Sequence, residues 1–143
     1  MNSTEIFFQA KVDAPREKVF DYFADHQNFT GLFGSTCERS REGKSELNGL
    51  GSVRTMRMGI GSFDETIVLF DKPNRIHYRI TRGSPLKDHL GTVEFVPEGD
   101  GTRVDYRICF KGKAPFVAPL VAWLLKKQWG RFAVPRLANL SRG

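Results

Sequence analysis

The sequence predicts an α+β fold: a strongly curved antiparallel sheet of about seven strands wrapped around a long C-terminal helix, with two short helices after the first strand. Three observations carry this expectation. Between Ala114 and Leu140, Val117, Leu120, Val121, Leu124, Leu125, Trp129 and Phe132 share one side of a 3.6-residue wheel, a wide apolar stripe that must be covered. The preceding chain holds a series of alternating segments separated by turn signals, suited to a sheet that grips that helix. Only one stretch before Ala114, following the first strand, has helical spacing instead.

In chain order, Ile6, Phe8, Ala10 and Val12 fall on one face of a first strand. Asp13-Ala14-Pro15 ends it and opens a helix, with Asp13 or Ala14 near the cap and Pro15 in the first turn, where its missing N–H costs nothing. Val19, Phe20, Tyr22 and Phe23 give that helix its buried side, and His26 to Phe33 continues as a second short helix with Phe29, Leu32 and Phe33 inward. A short strand is expected at Cys37–Arg41, a turn at Glu42–Leu47 and a strand at Val53–Met58 introduced by Gly49-Leu50-Gly51-Ser52. Gly59 to Ser62 reads as a turn and Phe63 to Phe70 as a strand. Asp71-Lys72-Pro73-Asn74 is a further turn, followed by strands at Arg75–Arg82 and His89–Val96 with a break at Gly83-Ser84-Pro85-Leu86. Glu98-Gly99-Asp100-Gly101 is a hairpin signal, because glycine permits the positive φ that tight turns need. Its partner strand, Thr102–Lys111, sets Val104, Tyr106, Ile108 and Phe110 against Arg103, Asp105, Arg107 and Cys109, the pattern of a sheet covered on one side.

The 143 residues fit one domain, 1–143, large enough to bury a core without staples. The net charge of +6 is unevenly spread: seven cations and no acid follow from Lys111 onward, against 15 cations and 16 acids before it. A basic tail suits an anionic partner or simply a solvated helix face, with cations favoured near a helix C-terminus. Cys37 and Cys109 stand far apart without a CxxC or Cys/His grouping, so neither a disulfide scaffold nor a zinc site is expected. Met1 to Glu5 has no signal-peptide character, and the longest apolar run falls short of the roughly 20 residues of a spanning helix, so a cytoplasmic protein is expected. No GxSxG, P-loop, HExxH or strand-to-helix GxGxxG is present, and Gly59-Ile60-Gly61 is only a turn, so no cofactor or metal is expected.

Several local motifs resemble the START-like superfamily, also called SRPBCC, in its polyketide cyclase/dehydrase-type branch. They are Val12-Asp13-Ala14-Pro15-Arg16-Glu17-Lys18-Val19-Phe20-Asp21-Tyr22, Gly49-Leu50-Gly51-Ser52, Phe70-Asp71-Lys72-Pro73-Asn74-Arg75-Ile76-His77-Tyr78-Arg79 and Glu98-Gly99-Asp100-Gly101-Thr102-Arg103-Val104. They are turns, caps and core positions, and so mark a fold rather than an activity. The resemblance implies a helix-grip fold in which sheet and C-terminal helix enclose a deep cavity for a hydrophobic molecule. The tryptophan frequent near the end of the family's second helix is replaced here by Phe29, Leu32 and Phe33.

Such cavities are mostly apolar with a few placed polar groups, typically about 300–1,000 Å3. Polar residues in phase with core-facing positions are therefore the site candidates: Arg57, Glu65, Tyr78, Arg82, His89 and Tyr106. The phase at Val53–Met58 is ambiguous, with Val53, Thr55 and Arg57 opposing Ser52, Arg54, Met56 and Met58. Glu65 and Arg57 are a possible buried ion pair, or both are solvated near a strand end. Leu124 and Gln128 represent the helix in the lining, Gln128 because an amide in an apolar stripe needs a partner. His89 cannot form a dyad with Asp88, since neighbouring strand residues point to opposite faces. Tyr78 and Tyr106 read as core residues with hydroxyls at a rim.

These candidates favour a binding or carrier protein for a small hydrophobic molecule such as a lipid, polyketide or aromatic. The second reading is a cyclase or dehydrase acting on an enolisable substrate through His89, Tyr78, Arg82 or Glu65. The third is a membrane-surface or interaction module working through Trp123, Lys126, Lys127 and Arg131, with Pro135 expected to kink the helix. Nucleic acid is not expected as a partner, because the basic segment lacks a strand platform of exposed aromatics. Both a monomer and a homodimer agree with the sequence.

Overall fold

The computed structural model describes residues 3–58 and 61–142, with the backbone alone at Met58 and Arg142. Its elements are β1 (Thr4–Val12), α1 (Arg16–Ala24), α2 (His26–Gly31), β2 (Cys37–Arg41), β3 (Val53–Met58), β4 (Gly61–Asp71), β5 (Arg75–Arg82), β6 (Leu86–Glu98), β7 (Gly101–Gly112) and α3 (Val117–Arg142). The strands form one seven-stranded sheet in the order β1-β7-β6-β5-β4-β3-β2. Every pair is antiparallel, as expected when neighbours are joined by short turns. The α+β class, the seven strands, the paired short helices and the long terminal helix agree with the pattern in the sequence.

Period-2 alternation sets the concave face. Ile6, Phe8 and Val12 of β1, Val104, Tyr106, Ile108 and Phe110 of β7, and Val93 and Phe95 of β6 are all buried. Register shifts in β4/β5 and β6/β7 bend the strands. At one of them Asp88 takes φ 53°, and β6 runs three residues further toward its N-terminus than alternation alone predicts. The hairpin at Glu98–Gly101 forms as expected, with Gly99 at φ 60°. Of the turn expected at Gly59 to Ser62, Gly61 and Ser62 instead begin β4, while Gly59 and Ile60 lie outside the described residues.

Three local expectations are corrected. Pro15 itself is the N-cap of α1, in extended conformation and without a side-chain cap, so the helix begins one residue later than its proline suggests. The terminal helix begins at Val117 rather than Ala114, because Phe116 takes φ 70° and breaks the helical path. Leu120, expected in the covered stripe, is 63% exposed, since the first turns of α3 lie over an opening rather than on the sheet. The helix continues through Pro135.

Beyond Gln128, α3 is fixed closely. Trp129, Ala133 and Leu137 are buried, and the Trp129 ring stacks on Phe8 with centroids 4.5 Å apart. A Cβ on Gly34, which has φ +72°, would fall 2.4 Å from the Phe132 ring, so only glycine permits this approach of the loop after α2. At the far end the Asp13 N–H donates to Ser141 Oγ at 2.9 Å. Burying a side chain the size of Trp129 accounts for several kcal/mol of the hold.

Candidate ligand cavity

Where α3 leaves the sheet, a cavity of about 200 Å3 remains between α2, β3–β7 and the first turns of α3. It is smaller than typical small-ligand sites. The reason is visible in its walls: Phe29, Phe33, Tyr78 and Tyr106 turn large rings into the space. Met56, Phe63, Ile80 and Ile108 complete the apolar sheet side, and Val121, Leu124 and Leu125 roof it from α3.

The expected site residues divide into two groups. Glu65, Tyr78, His89, Tyr106, Leu124 and Gln128 line this one cavity, and Arg57 joins them as an exposed side chain at its edge. Arg82 does not: it is exposed, and its guanidinium forms a two-point ion pair with Asp64 at 2.8 and 3.1 Å and contacts Ser62. A shift between Asp64 and Glu65 in the β4/β5 pairing accompanies this change of face. A second correction concerns Glu65, which pairs with Arg54 rather than Arg57. Arg54 Nε donates to Glu65 Oε1 at 2.8 Å, with the two residues 2% and 7% exposed.

The hairpin register explains the pairing. Met58 lies opposite Gly61, so Arg54 faces Glu65 and Arg57 faces Ser62. Ser52, Arg54 and Met56 therefore face inward, which resolves the ambiguous phase of β3. Arg54 also shares an N···N contact of 3.2 Å with His26 Nδ1, and its guanidinium lies 4.1 Å from the Phe29 ring centre and 4.9 Å from that of Tyr78. A buried cation is thus held by one carboxylate, one imidazole and two aromatic faces. Burial, and then the Arg54 charge, lower the His26 pKa to about 3, so this ring is neutral and its Nδ1 accepts from Arg54. Burial pushes the Glu65 carboxyl up while Arg54 opposes the shift. Among the described residues, Arg54 Nη2, His26 Nε2 and Ser52 Oγ are buried without a hydrogen-bond partner.

The phenols of Tyr78 and Tyr106 hydrogen-bond each other in the interior, not at a rim. Desolvation raises both pKa values, keeping the hydroxyls protonated. Gly91 makes this possible: a Cβ there would lie 2.2 Å from the Tyr78 ring, so the phenol lies directly over the bare backbone of β6. His89 Nδ1 accepts the Ile80 N–H at 3.0 Å, which puts the ring hydrogen on Nε2. Burial, followed by Arg54, lowers its pKa to about 4, so it too is neutral at pH 7. Asp88 is exposed and pairs with Lys111 at 3.6 Å, so it takes no part with His89.

Outside the cavity, Phe116, Leu120 and Trp123 are 85%, 63% and 58% exposed, and Lys127 Nζ lies 5.0 Å from the Trp123 ring centre. Lys126 and Arg131 are also exposed. Among the described residues, no helix is long and apolar enough to cross a membrane.

A curved sheet closed by one helix over an aromatic-walled cavity defines the helix-grip class. Residues 5–142 match the family model described as polyketide cyclase / dehydrase and lipid transport, and the chain belongs to that family. Solved structures agree on the fold. A START superfamily protein from Mycobacterium smegmatis aligns with TM-score 0.69 at 17% identity, covering 90% of this chain and 97% of that one. Ginseng major latex-like protein 151 from Panax ginseng aligns with TM-score 0.67 at 15% identity, covering 90% and 93%. Ara h 8.0201 gives 0.64 at 14% identity, covering 91% and 97%. No curated protein matches the sequence.

Proposed function

We propose that this chain, acting as one ligand-binding domain over residues 1–143, holds a small hydrophobic molecule between its sheet and α3. The observation that carries the reading is the cavity itself: about 200 Å3 in a domain otherwise packed with aromatic side chains, roofed by a helix segment whose own apolar residues are half-exposed. Interiors pack to crystal-like density, so a space of this size lined by Phe, Tyr, Leu and Ile is more readily explained by an occupant than by failed packing. The free thiols of Cys37 and Cys109 suit a reducing compartment such as the cytoplasm. Native mass spectrometry of the purified protein, with calorimetry using β-methylnaphthalene as probe, tests the reading. A co-purifying small molecule, or stoichiometric probe binding lost on Leu125→Trp, is the expected result. Bare protein that binds no probe counts against it.

The cyclase or dehydrase reading draws on Glu65, Tyr78 and His89 facing the same space, and it loses Arg82. His89 offers only a donor there, because its Nδ1 is taken by Ile80. Turnover of an enolisable aromatic polyketide by the wild type, lost in Glu65→Gln, Tyr78→Phe and His89→Ala, would favour it over simple binding. The membrane-surface reading draws on Phe116, Leu120 and Trp123 beside Lys126, Lys127 and Arg131. Co-sedimentation with phosphatidylserine vesicles, reduced by Lys126→Glu/Lys127→Glu, is its expected signature; retention at the dimer position in sizing without vesicle binding would instead indicate a second copy on that face.

A further inference from the structure

Resting on the proposal that the cavity binds a small molecule, we infer that it selects a neutral molecule ending in a hydroxyl group and rejects one ending in a carboxylate. The geometry around Glu65 points to this. A buried arginine near an apolar cavity would ordinarily suggest an anion site, but Arg54 is already engaged. Its Nε is bound to Glu65 Oε1 at 2.8 Å, and the pair is neutral as a unit. Glu65 stands in the cavity wall, whereas Arg54 is 2% exposed and lies behind it. An incoming group therefore meets the carboxylate before the guanidinium. The second oxygen of Glu65 accepts no hydrogen bond among the described residues and is not among the sealed polar atoms.

The neighbouring groups complete a small polar corner. Among the described residues the two phenols bond only to each other and so use one of their two hydroxyl hydrogens, leaving one to donate. His89 presents Nε2–H from the adjoining wall, its Nδ1 being committed to the Ile80 N–H. A ligand hydroxyl can thus donate to Glu65 and accept from a phenol or the imidazole. A ligand carboxylate would accept from the same donors but would confront Glu65 with a second negative charge in an apolar-walled site, where like charges repel more strongly than in bulk water.

Three probes of one shape separate these cases by calorimetry at pH 7: β-naphthol, β-methylnaphthalene and β-naphthoate. The comparison is made in Arg57→Gln, where the exposed cation at the cavity edge can no longer hold the carboxylate. The expected order is naphthol tightest, methylnaphthalene about tenfold weaker, and naphthoate weaker again, since a hydrogen bond to a charged partner is worth about a factor of ten or more. Naphthoate binding as tightly as naphthol, or naphthol no tighter than methylnaphthalene, overturns the inference while leaving cavity binding intact. Failure of all three probes to bind overturns cavity binding and this inference together.

The double variant Arg54→Met/Glu65→Leu replaces the ion pair by apolar groups. It should bind naphthol and methylnaphthalene within about threefold of each other, by the loss of that one charged hydrogen bond. An undiminished preference for naphthol overturns the inference. Should that variant not fold, Glu65→Gln reads the same point with opposite sign: an uncompensated Arg54 should raise naphthoate affinity at least about tenfold. No gain for naphthoate would contradict the account.

Discussion

The two halves of α3 differ more than their sequences suggest. From Trp129 to Ser141 the helix is clamped: Trp129, Ala133 and Leu137 are buried, the loop after α2 touches Phe132 at Gly34, and Ser141 ties back to Asp13. From Val117 to Gln128 it is a roof, with Leu120, Trp123 and Leu124 36–63% exposed and the cavity beneath. Both halves carry large apolar residues at helical spacing. What separates them is whether the sheet rises to meet the helix, and the aromatic filling of the sheet stops short of the roof. The clamp supplies stability, and the roof leaves room for a ligand.

The comparison can be broken most severely from below. Arg54→Met leaves Glu65 buried and unpaired and should cost about 3–5 kcal/mol in urea unfolding, whereas Arg54→Met/Glu65→Leu should recover most of that loss. Trp129→Ala, in the clamp, should cost about 3–5 kcal/mol, against within about 0.5 kcal/mol for Trp123→Ala in the roof. Equal costs for the two tryptophans would erase the distinction.

The buried histidines give an intermediate effect with a definite sign. The folded pKa values of His26 and His89 are lowered to about 3 and about 4, below the unfolded value of 6.5. Their contribution is therefore present above pH 6.5 and lost as pH falls through the window toward 4 and 3, at up to about 1.4 kcal/mol per pH unit for each ring. Glu65, whose carboxyl is pushed upward, contributes in the opposite sense and offsets part of the loss. Unfolding curves at intervals between pH 7 and 4 should show a falling midpoint, with a weaker fall in His89→Gln.

Two glycines sharpen the contrast at smaller scale. Gly34→Ala meets the Phe132 ring at 2.4 Å with φ +72°, and should destabilise the clamp by more than about 1 kcal/mol. Gly130→Ala, in an exposed helical position with nothing among the described residues within 4 Å of the new Cβ, should stabilise by about 0.5–1 kcal/mol through helix propensity.

The architecture was legible in the sequence because each element carries its own period. Arg75–Arg82 alternates cleanly and forms β5 over the same residues, and the hairpin glycine falls where its φ requires. The polar corner was legible only in part. Glu65, Tyr78, His89 and Tyr106 stand in phase with apolar neighbours, so alternation points them inward. Alternation does not find Arg54 because β3 offers an apolar residue and an arginine on each face, Val53 with Arg57 on one and Met56 with Arg54 on the other, and the reading that puts Arg57 inward puts Arg54 outward. A signal was nevertheless present: a hairpin joining β3 to β4 sets Arg54 opposite Glu65, and an acid in phase with Phe63 and Ile67 requires a cation. Arg82 shows the reverse error, since a register shift beside Asp64 removes it from the face that simple alternation assigns. The division of α3 was hidden for a different reason: the wheel shows which side is apolar, not how far the sheet reaches along it.

Hydrogen–deuterium exchange across α3, with and without β-methylnaphthalene, tests the central claim most directly. Amides of 117–128 should exchange at least about tenfold faster than those of 129–141 in the free protein, as expected for a segment that opens locally, and the probe should slow the first set alone. Uniform protection along the helix, unchanged by the probe, would contradict both the clamp-and-roof division and the cavity beneath it.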